Sequence, residues 1–228
     1  MTRRILPSGE HALLVECADL PEVLALHDAL DADRPAGLVE LVPAARTVLV
    51  VIDPLRLPLE SAERWIRRTV AGAPGGASGA SGASGATGAT AGADASVQTS
   101  PEPLVVPVVY DGPDLAETAA SLGVTPDELV ARHTSTRWRV AFIGFAPGFG
   151  YLVGDGWPFE VPRLASPRTR VPAGSVGLAG AFTGAYPRET PGGWRLIGRT
   201  ESAVWDPTAA VPALLVPGRS VRFERVGA

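Results

Sequence analysis

Six arginines, Arg163, Arg168, Arg170, Arg188, Arg195 and Arg199, stand between Val161 and Thr200 against one acidic residue, Glu189. The chain as a whole has a net charge of −4, so this stretch is a cationic island in an acidic protein. Guanidinium groups present planar forks of donors that match carboxylate or phosphate oxygens, which gives the island the chemistry of an anion site. A solvated surface or a salt-bridged interface satisfies the same composition, and both readings stand. Within "SPRTRVPAGS" the i, i+2 spacing sets Arg168 and Arg170 on one face of an extended segment, directly before a glycine turn at Gly174.

Other signatures fail on their chemistry. All 20 basic residues are arginine, so no Schiff-base lysine and no lysine-bearing phosphate loop is present. Gly148 and Gly150 begin a dinucleotide pattern that Val153 breaks. "AGSVG", from Ala173 to Gly177, nearly matches a nucleophile elbow, but alanine replaces its first glycine. His11, His27 and His133 fall in three separate elements, without the i, i+4 spacing of a helical metal site. Cys17, the only cysteine, excludes an internal disulfide and a cysteine-built zinc site. With "ILPSGEHALLVE" too polar for a leader core and no apolar run long enough to span a membrane, the expected compartment is the cytoplasm.

The elements that must position these residues fall into two regions. "HALLVEC" reads as a strand and "LPEVLALHDALDAD" as a helix, with Pro21 in its first turn and Val23, Leu26 and Leu30 on one stripe. "LVELV" and "TVLVVID" are strands, "PLESAERWIRRTV" is a helix, and "LVVPVVY" supplies a sixth element. The order β-α-β-β-α-β is that of a ferredoxin-like fold over residues 1–110. Residues 71–100, rich in Gly, Ala, Ser and Thr, cannot bury enough surface to order and read as a disordered insert. "PDLAETAASLG" and "TPDELVARHTS" are short helices, the latter with Thr125 as cap and Glu128 completing a capping box. From Arg137 onward, short apolar runs punctuated by Gly and Pro point to a β-barrel or sandwich over 111–228. There "GFAPGFGYL" reads as a glycine-kinked strand whose Phe145, Pro147, Phe149 and Tyr151 line a groove for a partner or substrate.

"IGFAPGFGYL", "VPRLASPRTRVPAGSV" and "TGAYPRETPGGWRLIGRT", with "HTSTRWRV" upstream, resemble the signature blocks of the PxpB/KipI family. That family is the first subunit of bacterial ATP-dependent 5-oxoprolinase, also labelled allophanate hydrolase subunit 1. The resemblance implies an α+β chain, with a ferredoxin-like domain followed by a cyclophilin-like β-barrel. It implies ATP-driven opening of 5-oxoproline to glutamate, in a complex with PxpC-like and PxpA-like subunits. By the same resemblance Arg163, Arg168 and Arg170 take the anion, Gly174 and Ser175 cradle it, and Tyr186 and Trp194 wall the pocket. Core packing fits Trp194 equally well. His133 is the positioned candidate for proton transfer, or else a helix-end histidine bonded to a carbonyl. Three departures from the family pattern are the insert, Trp138 in place of Tyr, and Phe182 in place of Gln. KipI-like members imply a second activity, inhibition of a histidine kinase through its helical domain. Related domains imply a third, a place in a urea- or allophanate-processing assembly.

Overall fold

The structure is a computed structural model that describes residues 3–72 and 102–227, in two compact units, Met1–Gln98 and Thr99–Ala228. The proposed disordered insert lies outside the described residues but for its first two positions. No helix among the described residues is long and apolar enough to cross a membrane.

In the first unit the strands β1 (Ile5–Pro7), β2 (Ala12–Glu16), β3 (Leu38–Pro43) and β4 (Thr47–Ile52) form an antiparallel sheet in the order β1-β2-β4-β3. β4, "TVLVVI", alternates strictly between half-buried and buried positions, so Val48, Val50 and Ile52 face the core as a period of two requires. Against them pack α1 (Leu20–Ala32), through Val23, Leu26 and Leu30, and α2 (Leu59–Gly72), through Ala62, Trp65 and Ile66. α1 starts where Asp19 accepts the Glu22 N–H at 2.9 Å and Pro21 occupies the first turn.

The sixth element of the expected ferredoxin-like order does not join this sheet. β5 (Leu104–Val108) pairs in parallel with β13 (Ser220–Arg225) in the second unit, from Leu104 opposite Val221 to Val108 opposite Arg225. The edge position beside β2 is taken by β1, a short strand that "RRILPSG" does not announce. The period of β5 shows which residues face inward, Val106 and Val108, but a strand's own period carries no information about which sheet it joins.

The second unit is built on a seven-stranded sheet: β12 (Arg195–Arg199), β9 (Ser175–Ala179), β10 (Phe182–Ala185), β7 (Gly150–Gly154), β6 (Trp138–Ile143), β13 and β5. Its two ends meet. Val109, directly after β5, exchanges backbone hydrogen bonds with Arg199 of β12, 2.9 Å in each direction. The Asp114 N–H continues the seam to the Leu196 carbonyl at 3.0 Å. This closure removes both open edges and makes the sheet barrel-like, as the sequence suggests. α3 (Leu115–Ser121) and α4 (Pro126–Ser135) pack on it, α4 beginning with the expected Thr125/Glu128 capping box. A two-stranded ribbon of β8 (Arg168–Val171) and β11 (Thr190–Gly192) lies in the same unit.

The seam admits no side chain at Gly112, where a Cβ would run into the backbone of Leu196, Ile197 and Gly198. Gly112→Ala is expected to lower unfolding stability in urea by about 1–3 kcal/mol. Gly144→Ala, whose Cβ would meet only Tyr151 at 3.6 Å, should change it far less.

Candidate functional site

"GFAPGFGYL" folds into two consecutive tight turns. The Ala146 N–H reaches back to the Gly144 carbonyl at 2.7 Å across Phe145, whose φ is 68°, so Phe145 is the centre of a γ-turn of the strained, positive-φ kind. It is the one non-glycine residue with positive φ among those described. The Phe149 N–H then bonds the Ala146 carbonyl at 3.0 Å across Pro147 and Gly148, whose φ of 79° suits the third position of a type II turn. Trp205 packs where a Gly148 Cβ would stand, 2.7 Å from its own Cβ. The turns leave Phe145 60% exposed and Pro147 exposed, while Phe149 is buried. Strain of this sort persists where surrounding structure over-determines it, and it concentrates at functional sites.

Around these turns an aromatic cavity of about 80 Å³ is lined by Phe145, Phe149, Tyr151, Tyr186, Trp194 and Arg163, with Gly192 and Gly193. Phe149 is the hub, with ring centroids of Phe145, Tyr151, Tyr186 and Trp194 at 5.4, 5.1, 5.2 and 5.1 Å, all edge to face. Such pairs add about 0.5–1.5 kcal/mol each beyond area burial. Glycines make the space: a Cβ on Gly192 would occupy the Tyr186 hydroxyl position, and one on Gly184 would stand 3.3 Å from both Phe149 and Trp194. Phe142, expected on the opposite face from Tyr151, instead stacks on it at 4.5 Å. A register shift between Val140 and Phe142 breaks the parity.

Arg163 is the cation of this cavity. Its segment is pinned on both sides, by reciprocal bonds between Val161 and Gly180 and by the Leu164 N–H to the Gly193 carbonyl at 2.9 Å. Among the described residues Arg163 forms no ion pair, nor does Arg188, which is exposed and lines neither cavity. The other island arginines are paired: Arg168 with Asp114 at 2.6 Å, Arg170 with Glu189 at 2.7 Å, Arg195 with Glu117 at 2.8 Å and Arg199 with Asp111 at 2.9 Å. Burial raises the pKa of both Tyr151 and Tyr186 above the ordinary phenol value, although Arg163 opposes it, so both hydroxyls stay protonated as donors.

The residues expected to form one anion pocket therefore divide. Arg163, Tyr186 and Trp194 join the groove residues Phe145, Phe149 and Tyr151, with Pro147 at the turn beside them. Arg168, Arg170 and Ser175 line a second cavity of about 350 Å³, with Asp111, Pro172 and Arg199. Gly174 does not cradle an anion through its backbone. Its N–H goes to the Tyr186 carbonyl at 2.7 Å and that of Ser175 to the Pro172 carbonyl at 3.3 Å, so both donors are already used. With φ at 78° and the Thr200 carbonyl where a Cβ would stand, Gly174 serves the turn.

His133 does not sit at either cavity. It is wholly buried in the barrel core, stacked on Phe223 at 4.5 Å. Thr183 Oγ1 donates to the Gly177 carbonyl at 3.1 Å, so it accepts from His133 Nε2 at 2.9 Å, and Nδ1 must accept from the Tyr110 hydroxyl at 2.7 Å. That chain of bonds selects one neutral tautomer. Proton transfer to a substrate is thereby replaced by a role in holding α4, β10 and the strand-closing segment together, and neither ring nitrogen bonds a carbonyl. Asp114 matters more than its place in the sequence suggests. At the head of α3 it resembles a cap, yet it makes no cap bond and holds Arg168 and the Leu196 N–H, the latter at 2.7 Å.

A closed barrel carrying an aromatic, arginine-bearing cavity defines a class of fold and site that known proteins share. The model of the carboxyltransferase domain, subdomain C and D, matches residues 3–215. The B subunit of 5-oxoprolinase from Escherichia coli O157:H7 is 50% identical over 121 residues, 52% of this chain and 56% of that protein. The conserved uncharacterized protein PH0987 from Pyrococcus horikoshii is similar in structure, with TM-score 0.53 and 34% identity over 98% of this chain and 97% of that one. The Kluyveromyces lactis urea amidolyase shares the fold, with TM-score 0.69 at 16% identity, over 98% of this chain and 15% of that one. The chain belongs to the carboxyltransferase subdomain C and D family, and within it to the PxpB family that its sequence blocks resemble. It spans about half the length of the curated relatives it matches.

Asp114→Ala would leave Arg168 without its counter-ion and the buried Leu196 N–H without an acceptor, and should cost about 2–4 kcal/mol in a denaturant titration. Burial pushes the His133 pKa down from 6.5 to about 3. Below about pH 6.5 the unfolded chain binds a proton that the folded chain refuses until about 3, so the stability this histidine contributes is complete above the first value and lost as pH falls toward the second. The slope expected from one such proton is about 1.4 kcal/mol per pH unit. His133→Asn, though less stable throughout, should show a shallower fall between those limits when unfolding is measured across pH.

Proposed function

We propose that this chain is the B subunit of a 5-oxoprolinase-type complex and that it holds 5-oxoproline in the Arg163 cavity. The observation that carries the reading is Arg163 itself, a guanidinium without an ion pair in a small aromatic cavity. The substrate is a planar lactam bearing one carboxylate. Arg163 would take the carboxylate as a fork, the rings would pack on the lactam face, and the protonated hydroxyl of Tyr151 or Tyr186 would donate to its oxygen. The overall reaction consumes 5-oxoproline, ATP and water and yields glutamate, ADP and phosphate. ATP supplies the driving force that a poor electrophile with a poor leaving nitrogen needs.

The Arg163 cavity does not fit the nucleotide: it is about 80 Å³, with one arginine and no phosphate loop. Its lining also holds no carboxylate or histidine to take a proton from water. Those parts of the reaction belong elsewhere in the complex, on PxpC-like and PxpA-like subunits or at the joint with them, in the cytoplasm. The chain alone would accordingly be inactive.

The exposed ring of Phe145, with Pro147 beside it, favours a second reading, an anchor for the helical domain of a histidine kinase. One experiment separates the two: 5-oxoproline-dependent ADP release by the chain alone and with its candidate partner subunits. The expected result is turnover in the full mixture only, reduced at least about a hundredfold by Arg163→Ala, the loss of a charge-assisted contact worth about 3 kcal/mol, while assembly on a sizing column is unchanged. Full turnover by that variant would remove Arg163 from the site. No ADP release from an assembled complex would shift the reading to the kinase.

A further inference from the structure

The second cavity is a site in its own right. It opens between the β8 arginines and the barrel seam, and its wall carries three guanidinium groups from two strands, Arg168 and Arg170 of β8 and Arg199 of β12, against one carboxylate, Asp111. Ser175, only 6% exposed, brings a hydroxyl to the same wall. Pro113, Pro172, Ala173 and Leu196 supply apolar surface, and at about 350 Å³ the cavity lies within the range of small-molecule sites.

We propose that this cavity binds a phosphoryl group, either free phosphate or the phosphate end of a small molecule. Planar guanidinium forks suit the oxygens of a dianion, and a serine hydroxyl adds a donor that a purely arginine-lined surface lacks. The existing ion pairs do not prevent it. Arg170–Glu189 and Arg199–Asp111 are exposed on both partners, and pairs of that kind are worth about 0–1 kcal/mol, so exchanging a carboxylate for a phosphate dianion costs little. Arg168 is different. Its bond to buried Asp114, which in turn holds the Leu196 N–H, fixes it as the rigid member of the set. The site is thus one anchored arginine flanked by two that can change partner. The proposal does not depend on 5-oxoproline occupying the Arg163 cavity.

The test is isothermal titration of the full chain with inorganic phosphate and, separately, with ADP, accompanied by melting temperatures. Binding of either probe is expected, weakened at least about tenfold by Arg170→Ala and by Arg199→Ala, since each removes one charge-assisted contact and tenfold corresponds to about 1.4 kcal/mol. Both positions are exposed, so neither variant should unfold the chain. Arg163→Ala should leave this binding within about twofold, as expected of sites without shared partners. Tighter binding of ADP than of phosphate supports a nucleotide or phosphate-ester ligand, and equal binding supports free phosphate. The proposal is overturned if neither probe gives heat or a rise in melting temperature. It is equally overturned if binding survives both β8 and β12 substitutions unchanged, or vanishes with Arg163→Ala.

Discussion

The barrel depends on its seam. A seven-stranded sheet without closure would leave β5 and β12 as two unpaired edges, and here the chain from Val109 to Asp114 stitches them through backbone bonds to Arg199, Ile197 and Leu196. The same stretch and the first turn of α3 supply Asp111, Asp114 and Glu117, the carboxylates that pair with Arg199, Arg168 and Arg195. Most of the arginine island is thus the electrostatic counterpart of the segment that closes the sheet. Two of these pairs are exposed on at least one side and contribute modestly. Arg168–Asp114 is of another kind, because the carboxylate is almost fully buried and its second oxygen satisfies a backbone N–H that would otherwise be stranded.

With charge and backbone matched along the seam, the interior can be filled with rings. His133, Trp138 and Phe223 occupy one side of the barrel, with Trp157 against them. Phe149, Tyr151, Tyr186 and Trp194 occupy a separate cluster, the one that opens on Arg163. A buried polar chain from Tyr110 through His133 to Thr183 and Gly177 runs inside the first cluster with every member satisfied, which is the condition for such a network to specify a core rather than weaken it. The two clusters divide the work: one sets the barrel and the other presents a surface.

Much of this is legible in the residues. The alternation of "TVLVVI", the Val23/Leu26/Leu30 stripe and the Thr125/Glu128 capping box are local codes, and the structure follows them. The groove residues Phe145, Phe149 and Tyr151 are legible because glycines between aromatic rings have few structural uses. What the residues do not disclose is pairing over distance. β5 carries no mark of the strand it will meet, and Asp114 at a helix start looks like a cap when its partner lies 54 positions away. His133 looks chemical because histidine near a helix end often is, and only the three-dimensional enclosure by Phe223, Tyr110 and Thr183 shows otherwise. The arginine island is visible as charge, but its division into paired and unpaired members depends mostly on acids outside it.

The γ-turn at Phe145 carries a kinetic meaning. A phenyl ring on an ordinary loop must give up rotational freedom when something docks on it, and this loss subtracts from affinity. Here the unfavourable backbone angle is held by the neighbouring type II turn and by Trp205 before any encounter takes place. A visiting molecule therefore meets a finished surface rather than an adjustable one. Discrimination among visitors then falls on how long each stays, and the rate of arrival is set by diffusion and charge.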